Sequence, residues 1–387
     1  MDYKAKTYEL VEERYSDIKK IRENNIKAWS DWNLSGNNKI CFYGAGQVGN
    51  DTYKSILPLG VKVDFFCDSN PEKWGKEIVD GIKCISLQEL YEMKYSVLCF
   101  VTAGISNSNV IYRQLVNAGL TNIVRREEYV NLKYTLMAEK LDKTTFWNNL
   151  SEAFDFFPDE ESHKILYYKV RSLVARTEEW KEFSFADLYQ GNQFFGDNAG
   201  NVRKDEVIID CGAYRGSSLK RLVEGLGYSD FKKYICYELD ANNYNILKKY
   251  IDALPQDISS KVEAYNYGVG SENKKITYDS SETESMVVEN GAYEGEIISM
   301  DDHQAGKEGT FIKMDIEGSE LEALIGAQKI IKENKPVCAL SIYHKIEDLW
   351  EIPRYLRKLV PEYRFKLKHH HYCWYETVCY ATADYNK

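Results

Sequence analysis

The sequence lacks several features that would place the chain in another class of protein. It has no apolar run near the roughly 20 residues of a membrane helix, and its charged beginning, MDYKAKTYEL, is unlike a signal peptide. It also has no CxxC pair and no other Cys/His spacing typical of a metal site. We therefore expect a cytoplasmic protein with reduced thiols and no membrane partner.

Positive charge is scarce relative to negative charge. The chain has 60 acidic and 50 basic residues, a formal net charge of −10. A nucleic acid held through its phosphates requires a basic face, so the composition argues against a nucleic-acid partner. The nine cysteines lie mostly within apolar runs, such as Cys99 in SVLCFV, where cysteine behaves as a small hydrophobic residue.

What the chain does have is two series of alternating strand and helix patterns. The predicted strands are 39–44, 61–68, 96–103 and 121–125 in the first series, and 206–210, 233–238, 262–266, 310–314, 336–342, 363–368 and 374–381 in the second. Such alternation predicts parallel sheets, whereas the short connection between the last two strands predicts an antiparallel hairpin at one sheet edge.

We predict an α/β fold with two Rossmann-like domains in a chain of 387 residues. The predicted parts are a helical arm at 1–34, a small Rossmann-like domain at 35–130, a helical linker or cap at 131–200 and a second α/β domain at 201–387. The arm is either a packing helix or a contact in a homo-oligomer.

The most informative stretch is VIIDCGAYRGSSLKRL at 207–222. A β-branched strand ends in Asp210, and a helix follows a turn that contains Gly212, Ala213, Tyr214, Gly216 and Ser217. A carboxylate at this strand end disfavours a phosphate and favours a ligand with cationic or hydroxyl groups. S-adenosylmethionine (SAM), with its sulfonium and amino groups, fits this description.

Two more strand ends extend the candidate cofactor site. The strand KYICYELD ends in Glu238 and Leu239, where a carboxylate is placed to accept the two hydroxyls of a ribose. The strand VEAYNYGVG ends in Tyr267 and Gly268, where an adenine ring can stack or pair. The alternative is that the glycines merely permit a tight turn. An NAD site would need GxGxxG, which DCGAYRG lacks.

The stretch from about 185 to 381 resembles the FkbM-type SAM-dependent methyltransferases. The resemblance rests on VIIDCGAYRGSS, on CYELD and on TFIKMDIEGSELEALIGA at 310–327, which is similar to the family block IKxDxEGxExxxLxGA. One departure is Leu239, which stands where the family usually has a proline in an FEPD-like sequence. The resemblance implies a seven-stranded class I methyltransferase sheet with an antiparallel last strand, and methyl transfer from SAM to a hydroxyl, often of a sugar or polyketide. It also implies an aromatic segment over SAM, which makes Gln193 in YQGNQFF a candidate cofactor neighbour.

A sugar hydroxyl is a poor nucleophile, so a general base is expected to assist its methylation. Asp315 and Glu317 follow the strand TFIKM, and His344 follows the strand VCALSIY. We favour His344 as the base, because an imidazole titrates near neutral pH. Asp315 orients SAM or the acceptor, or is itself the base, and Glu317 is equally suited to cap the following helix.

The run of His369, His370 and His371 does not predict a metal site. Consecutive residues on a strand point to opposite faces, so the three rings cannot ligate one ion. We expect one or two of them to face the acceptor cleft and the rest to be solvated. A divalent cation bound by Asp315 or His344 is left open as an alternative, although nothing in the sequence requires a metal.

A second glycine-rich turn, GAGQVG, lies at 44–49. Gly44, Gly46 and Gly49 follow a strand and begin a helix, and Asp68 ends the next strand, which is the context of a nucleotide fingerprint. The segment CDSNPEKWGKEIVDGIKCIS resembles small Rossmann-like domains of sugar-modifying enzymes, where it contributes to nucleotide-sugar binding. Nucleotide-sugar binding and a scaffold without a ligand both remain open.

The leading hypothesis is thus a SAM-dependent O-methyltransferase for a hydroxyl of a sugar, glycan or nucleotide-linked sugar. One alternative is an NAD-dependent sugar oxidoreductase that uses the GAGQVG turn. The other is a non-catalytic scaffold that binds SAM or a nucleotide.

Overall fold

The computed structural model describes residues 1–195, 202–280 and 285–383, with the side chains of 105, 106, 285 and 286 left out. The α-helices in these ranges are α1 (Tyr3–Arg14), α2 (Ile18–Ser30), α3 (Gln47–Ile56), α4 (Leu87–Glu92), α5 (Ile105–Asn117), α6 (Arg126–Ala138), α7 (Lys143–Phe156), α8 (Glu160–Leu173), α9 (Ser217–Lys220), α10 (Ala241–Asp252), α11 (Gln256–Ser259), α12 (Glu320–Ile325), α13 (Gln328–Asn334) and α14 (Asp348–Leu359).

The strands of the same ranges form three sheets. Their bounds are β1 (Lys39–Tyr43), β2 (Phe65–Cys67), β3 (Glu77–Val79), β4 (Ile82–Ile85), β5 (Val97–Val101), β6 (Ile123–Val124), β7 (Val207–Cys211), β8 (Lys233–Tyr237), β9 (Val262–Tyr265), β10 (Gly268–Val269), β11 (Lys274–Ser280), β12 (Ser285–Val287), β13 (Tyr293–Ile298), β14 (Phe311–Met314), β15 (Val337–Ser341), β16 (Arg364–His369) and β17 (Thr377–Thr382).

The first sheet has the order β3-β4-β2-β1-β5-β6 within the described chain, and its neighbouring strands are parallel except for β3 and β4. Its centre is fully buried, since β5 reads VLCFV without a polar residue. All four strands predicted for this half are present. The β3–β4 hairpin was missed, because its short strands carry partly exposed residues that give no clear alternation.

The second sheet has the order β16-β17-β15-β14-β7-β8-β9 among the described strands. The strands from β15 to β9 are parallel, and β17 runs antiparallel between β15 and β16. The predicted α/β fold, with an antiparallel last strand in a seven-stranded sheet, is therefore confirmed. The strand β16 forms the edge, and β17 lies one position inside it.

A small third sheet, in the order β10-β13-β11-β12, lies in the chain between β9 and β14. The sequence analysis did not predict it. Its strands KKITYDS and YEGEII are largely exposed and polar, so they lack the buried apolar runs by which the other strands were recognised.

One buried cluster joins the amino-terminal helices to the second sheet. It contains Val11 of α1, Phe146 of α7, Leu166 of α8 and Trp350 of α14, together with Ile209 of β7. The predicted arm at 1–34 thus contributes α1 to this core. The domain boundaries remain predictions, and the one at 200 falls outside the described residues. No helix in the described part of the chain is long and apolar enough to cross a membrane.

Candidate active site

A cavity of about 680 Å³ lies at the carboxyl ends of β7, β8, β14 and β15. Parallel strands bring their carboxyl ends to one edge of the sheet, so this is where a ligand is expected in an open α/β sheet. The other walls come from α6, from residues 193 and 194, from the small third sheet and from the β16–β17 connection.

Asp210 does not line this cavity, contrary to our expectation that it would face the ligand. Its side chain is fully buried, with Lys313 Nζ 2.9 Å from its Oδ1 and the Tyr234 hydroxyl donating to its Oδ2 at 2.8 Å. Lys313 also donates a hydrogen bond of 2.7 Å to the Gly212 carbonyl. The Asp210 carboxylate is thus neutralised by its ion pair with Lys313, and the pair stabilises the turn after β7.

The turn after β7 packs directly against the turn after β14. Gly212 has a φ of +74°, and a Cβ built there would lie 2.0 Å from the Asp315 carbonyl oxygen. Glycine is therefore required at this position by both conformation and space. Gly212, Tyr214 and Ser217 line the cavity, whereas the predicted Ala213 and Gly216 do not.

Glu238 reaches the cavity from the end of β8. Its Oε2 accepts a 2.7 Å hydrogen bond from the Tyr214 N–H, and its Oε1 accepts one of 2.9 Å from the Asp240 N–H. Burial raises the pKa of this carboxyl. Because a carboxylate oxygen has two lone pairs, each oxygen keeps one for a ligand.

Apolar and aromatic residues surround the Glu238 carboxylate on the side of β9 and the small sheet. The predicted Leu239, Tyr267 and Gly268 line the cavity, as do Val269 and Ile297. The structure thus brings together most of the residues that the sequence placed at the ends of β7, β8 and β9.

The three predicted catalytic residues also meet in this cavity. His344 Nε2 lies 3.4 Å from Glu317 Oε2 and 3.6 Å from Asp315 Oδ1. On the other side of the ring, Nδ1 lies 2.9 Å from Oε1 of the fully buried Glu320. Burial alone would lower the pKa of His344, but the carboxylates, Glu320 first, raise it to about 10.

Asp315 and Glu317 are held in place by the chain around them. The Tyr343 hydroxyl donates a 3.0 Å hydrogen bond to Asp315 Oδ1. Glu317 has a φ of +55°, which is unusual for a residue other than glycine and is often found at functional sites. Glu320 accepts a 3.0 Å hydrogen bond from the Ile316 N–H, so it braces this turn from behind.

Glu376, in the β16–β17 connection, is a cavity residue that the sequence analysis missed. Its Oε2 accepts a hydrogen bond from Nε2 of the predicted Gln193, which also lines the cavity. Burial, and then the neighbouring Asp315 carboxylate, raise the pKa of Glu376 to about 7. Glu376 also has a φ of +58°, a strained backbone conformation for a residue other than glycine. No local sequence pattern predicts that this residue lines the cavity.

The three consecutive histidines are all buried, so the expectation that some are solvated is wrong. His371 alone among them lines the cavity. His369 Nδ1 contacts Thr377 Oγ1 at 2.8 Å, and His370 Nδ1 contacts the Gln190 carbonyl at 2.6 Å. Burial lowers the pKa of His370 to about 4 and that of His371 to about 3, so neither carries a charge at neutral pH.

Helix α6 brings cationic and aromatic groups to the cavity from the amino-terminal half. Arg126, Lys133 and Tyr134 line it. Arg126 Nη1 donates a 3.0 Å hydrogen bond to the Ala103 carbonyl after β5, whereas its buried Nε has no hydrogen-bond partner among the described residues. A cation in the first turn of a helix is unfavourable unless an anion is near. No pattern in the sequence connects this helix with the site.

The GAGQVG turn lies apart, since none of Gly44, Gly46, Gly49 and Asp68 lines this cavity. A Cβ at Gly49 would lie 1.9 Å from the Gly44 carbonyl oxygen, so close packing accounts for that glycine. Asp68 Oδ2 accepts hydrogen bonds from the Ala45 N–H at 3.0 Å and from Lys73 Nζ at 2.8 Å. The carboxylate is thus engaged within its own turn.

Residues 210–367 match the family model described as the methyltransferase FkbM domain. Among solved structures, the crystal structure of methyltransferase FkbM from Methylobacillus flagellatus KT is similar, with a TM-score of 0.67 and 21% identity over 89% of this chain and 90% of that chain. At this identity the likeness shows a shared fold, and it extends well beyond the matched domain.

Two other solved structures are much less similar. They are precorrin-6y C5,15-methyltransferase from Geobacter metallireducens GS-15 (TM-score 0.28, 14% identity, 47% of this chain and 80% of that chain) and a SAM-dependent methyltransferase from Aquifex aeolicus (TM-score 0.29, 12% identity, 48% and 85%). A comparison with curated proteins found no match.

Proposed function

We propose that this chain, whose residues 210–367 form a methyltransferase domain of the FkbM type, transfers a methyl group from SAM to a hydroxyl of a sugar, glycan or nucleotide-linked sugar. The observation that carries the proposal is that one cavity of about 680 Å³ contains both the Glu238 carboxylate and the cluster of Asp315, Glu317 and His344. A cofactor and an acceptor can therefore meet there.

The donor set of the cavity fits SAM. Glu238 offers one oxygen to each of two vicinal ribose hydroxyls, and Tyr267 with Leu239 and Ile297 offers a face for adenine. Asp315 is placed to attract the ammonium and sulfonium charges of the methionine part. Lys313 also lines the cavity, but its charge is paired with Asp210.

When bound, SAM supplies an electrophilic methyl group on a positively charged sulfur. The protein has to align the acceptor oxygen behind that methyl group and accept the hydroxyl proton as the carbon–oxygen bond forms. His344 was the favoured base on sequence grounds. A pKa of about 10 makes it a cation at neutral pH, so it is a poor proton acceptor.

Glu376 is the better candidate for the base. It lines the same cavity, Gln193 orients its carboxylate, and its pKa of about 7 lies near the working pH at which a general base is most effective. Asp315, tied to Tyr343, is better placed to orient the acceptor or the cofactor.

The cavity wall opposite the sheet carries groups that suit a sugar with an attached phosphate. Tyr134 and Tyr375 provide aromatic faces for a sugar ring, and Arg126, Lys133 and Lys345 provide positive charge. The unpartnered Nε of Arg126 is a donor that a phosphate oxygen would satisfy. These groups support a nucleotide-linked sugar over a neutral glycan.

Calorimetric titration with SAM, NAD and a nucleoside-diphosphate sugar tests the proposal against its alternatives. We expect SAM to bind the wild type, and Glu238→Ala to weaken that binding by at least about tenfold, because the ribose loses two hydrogen bonds to a charged group. Glu263→Ala is the matched control, since Glu263 lies on the neighbouring strand β9 and does not line the cavity.

The result that would overturn the proposal is a wild type that does not bind SAM, or a Glu238→Ala variant with unchanged affinity. Binding of NAD without SAM would favour the oxidoreductase. Binding of SAM without methyl transfer to any hydroxyl acceptor would favour the scaffold.

A further inference from the structure

The geometry around His344 points to a cation site that the proposed methyl transfer does not by itself require. His344 is 7% exposed, and neither Nδ1 nor Nε2 of its ring makes a hydrogen bond among the described residues. Nε2 faces Glu317 Oε2 at 3.4 Å and Asp315 Oδ1 at 3.6 Å. His344 Nε2, after β15, thus lies within 3.6 Å of one carboxylate oxygen from each of two residues in the turn after β14.

We propose that Asp315, Glu317 and His344 bind one divalent metal ion, with Glu320 holding the imidazole from behind. The spacing suits this role, because ligands about 2.1 Å from an ion lie roughly 3.0–3.5 Å from one another. Asp315, Glu320 and His344 also have potential ligand atoms within 4.8 Å of one another.

Glu320 is the third member of that compact group, and in this proposal it supports the imidazole through Oε1 instead of ligating the ion. Its Oε1 lies 2.9 Å from Nδ1, on the side of the ring opposite Asp315 and Glu317, and it accepts a hydrogen bond from the Ile316 N–H. A carboxylate on the far nitrogen of a metal-binding histidine fixes the tautomer and the orientation of the ring. Nε2 is then the nitrogen that presents its lone pair to the ion, which takes the place of the proton that Nε2 carries in the metal-free protein.

The charge of the site favours a cation. Asp315, Glu317 and Glu320 bring three carboxylates to one imidazole, and Glu376 lies close enough to Asp315 for repulsion between them. Two carboxylates with one imidazole suit an ion that prefers oxygen and tolerates nitrogen, such as Mn²⁺ or Mg²⁺. Open coordination positions towards the cavity would take neighbouring hydroxyls of a sugar, which orients them and makes the bound hydroxyl more acidic.

Mn²⁺ is the probe for the test, because its paramagnetism reports nitrogen ligands directly. Metal-free protein without SAM is titrated with MnCl₂, and the bound ion is examined by electron paramagnetic resonance with detection of ¹⁴N coupling. We expect one ion per chain, coupled to one imidazole. Glu317→Gln is expected to lower the affinity for Mn²⁺ by about 10-fold or more, and His344→Gln to abolish the ¹⁴N coupling.

Two control variants make the same kinds of substitution at residues outside the proposed site. Glu322→Gln changes a carboxylate on α12 that accepts from Ser271, and His163→Gln changes an imidazole on α8 that contacts the Phe154 carbonyl. Both are expected to bind Mn²⁺ as the wild type does. Should His344→Gln fail to fold, Glu317→Gln with its partly exposed side chain still decides the question.

The proposal is overturned if the wild type does not bind Mn²⁺, if Glu317→Gln binds it unchanged, or if the bound ion shows no nitrogen ligand. In those cases His344 is an imidazolium that neutralises its three carboxylates. Because the titration contains no SAM, its outcome is independent of whether the proposed methyl transfer takes place.

Discussion

Lys313 and Asp210 face each other on adjacent strands β14 and β7, with Nζ 2.9 Å from Oδ1 and both side chains at most 2% exposed. This buried pair links the two strands whose ends carry the glycine-rich turn at 212–216 and the cluster of Asp315, Glu317 and Glu320. Because Lys313 also donates to the Gly212 carbonyl, the pair fixes the turn relative to the strand beneath it.

Replacing one residue of the pair is expected to lower the free energy of unfolding more than replacing both residues. Lys313→Met leaves the Asp210 charge buried and uncompensated, so we expect the free energy of unfolding to fall by about 3–5 kcal/mol. In the double variant Asp210→Asn/Lys313→Met neither charge remains, and part of this loss should be recovered. Urea-induced unfolding of the wild type, Lys313→Met and the double variant measures both effects, and a double variant no more stable than Lys313→Met would refute this role for the pair.

Gly212→Ala is expected to disrupt the turn through a steric clash. A Cβ at this position meets the Asp315 carbonyl oxygen at 2.0 Å, so the two turns must separate, and we expect a loss of more than about 2 kcal/mol together with weaker SAM binding. Gly227→Ala is the control, because Gly227 also has a positive φ but no atom within 4 Å of the added carbon. It should show only the conformational cost of about 1–2 kcal/mol. Equal losses for the two variants, measured by urea unfolding, would contradict the argument from close packing.

Glu376→Gln tests the base. The amide keeps the size of the side chain but cannot accept the hydroxyl proton, so kcat should fall by about 10²–10⁴-fold while the affinity for SAM changes little. Steady-state kinetics and calorimetry separate the two quantities. Glu362→Gln, at an exposed carboxylate before β16, is the control. A wild-type kcat in Glu376→Gln would return the role of base to Asp315 or Glu317.

The stability of the chain should depend on pH through Glu128 of α6. Burial raises the pKa of this carboxyl to about 8, so the folded state binds a proton that the unfolded state has released above about pH 4.5. The stabilisation is complete below the unfolded pKa and is lost as the pH rises towards 8, at about 1 kcal/mol per pH unit. Glu128→Gln should flatten this part of the curve of unfolding free energy against pH, and the exposed Glu92→Gln should not. A curve for Glu128→Gln with the slope of the wild type would be the contrary result.

The part of the cavity at the ends of β7, β8 and β9 was predictable from the sequence, because it depends on where these strands end. Each of β7, β8 and β9 is an apolar run with a clear end, and parallel strands place Gly212, Glu238 and Tyr267 at the same edge of the sheet. The partner of Asp210 could not be predicted in this way. Lys313 lies 103 residues later, and its register opposite Asp210 is a property of the folded sheet.

The wall of the cavity that contains Arg126 and Glu376 depends on packing between distant parts of the chain. Glu376 reaches the cavity because the antiparallel β17 returns beside β15, and Arg126 reaches it because α6 spans from the end of β6 to the second sheet. The burial of the three histidines also depends on packing between segments of the chain, since their surroundings include residues such as Gln190 and Thr377. No local pattern in the sequence carries this information.

In the proposed function, the second sheet, and not the GAGQVG turn, holds SAM. Ultraviolet crosslinking of the wild type with isotopically labelled SAM, followed by peptide mapping, tests it most directly. We predict label on peptides that contain Tyr214, Tyr267 or Tyr343, and loss of this label in Glu238→Ala. Label on a peptide from 39–68, or equal labelling of Glu238→Ala and the wild type, would contradict the claim.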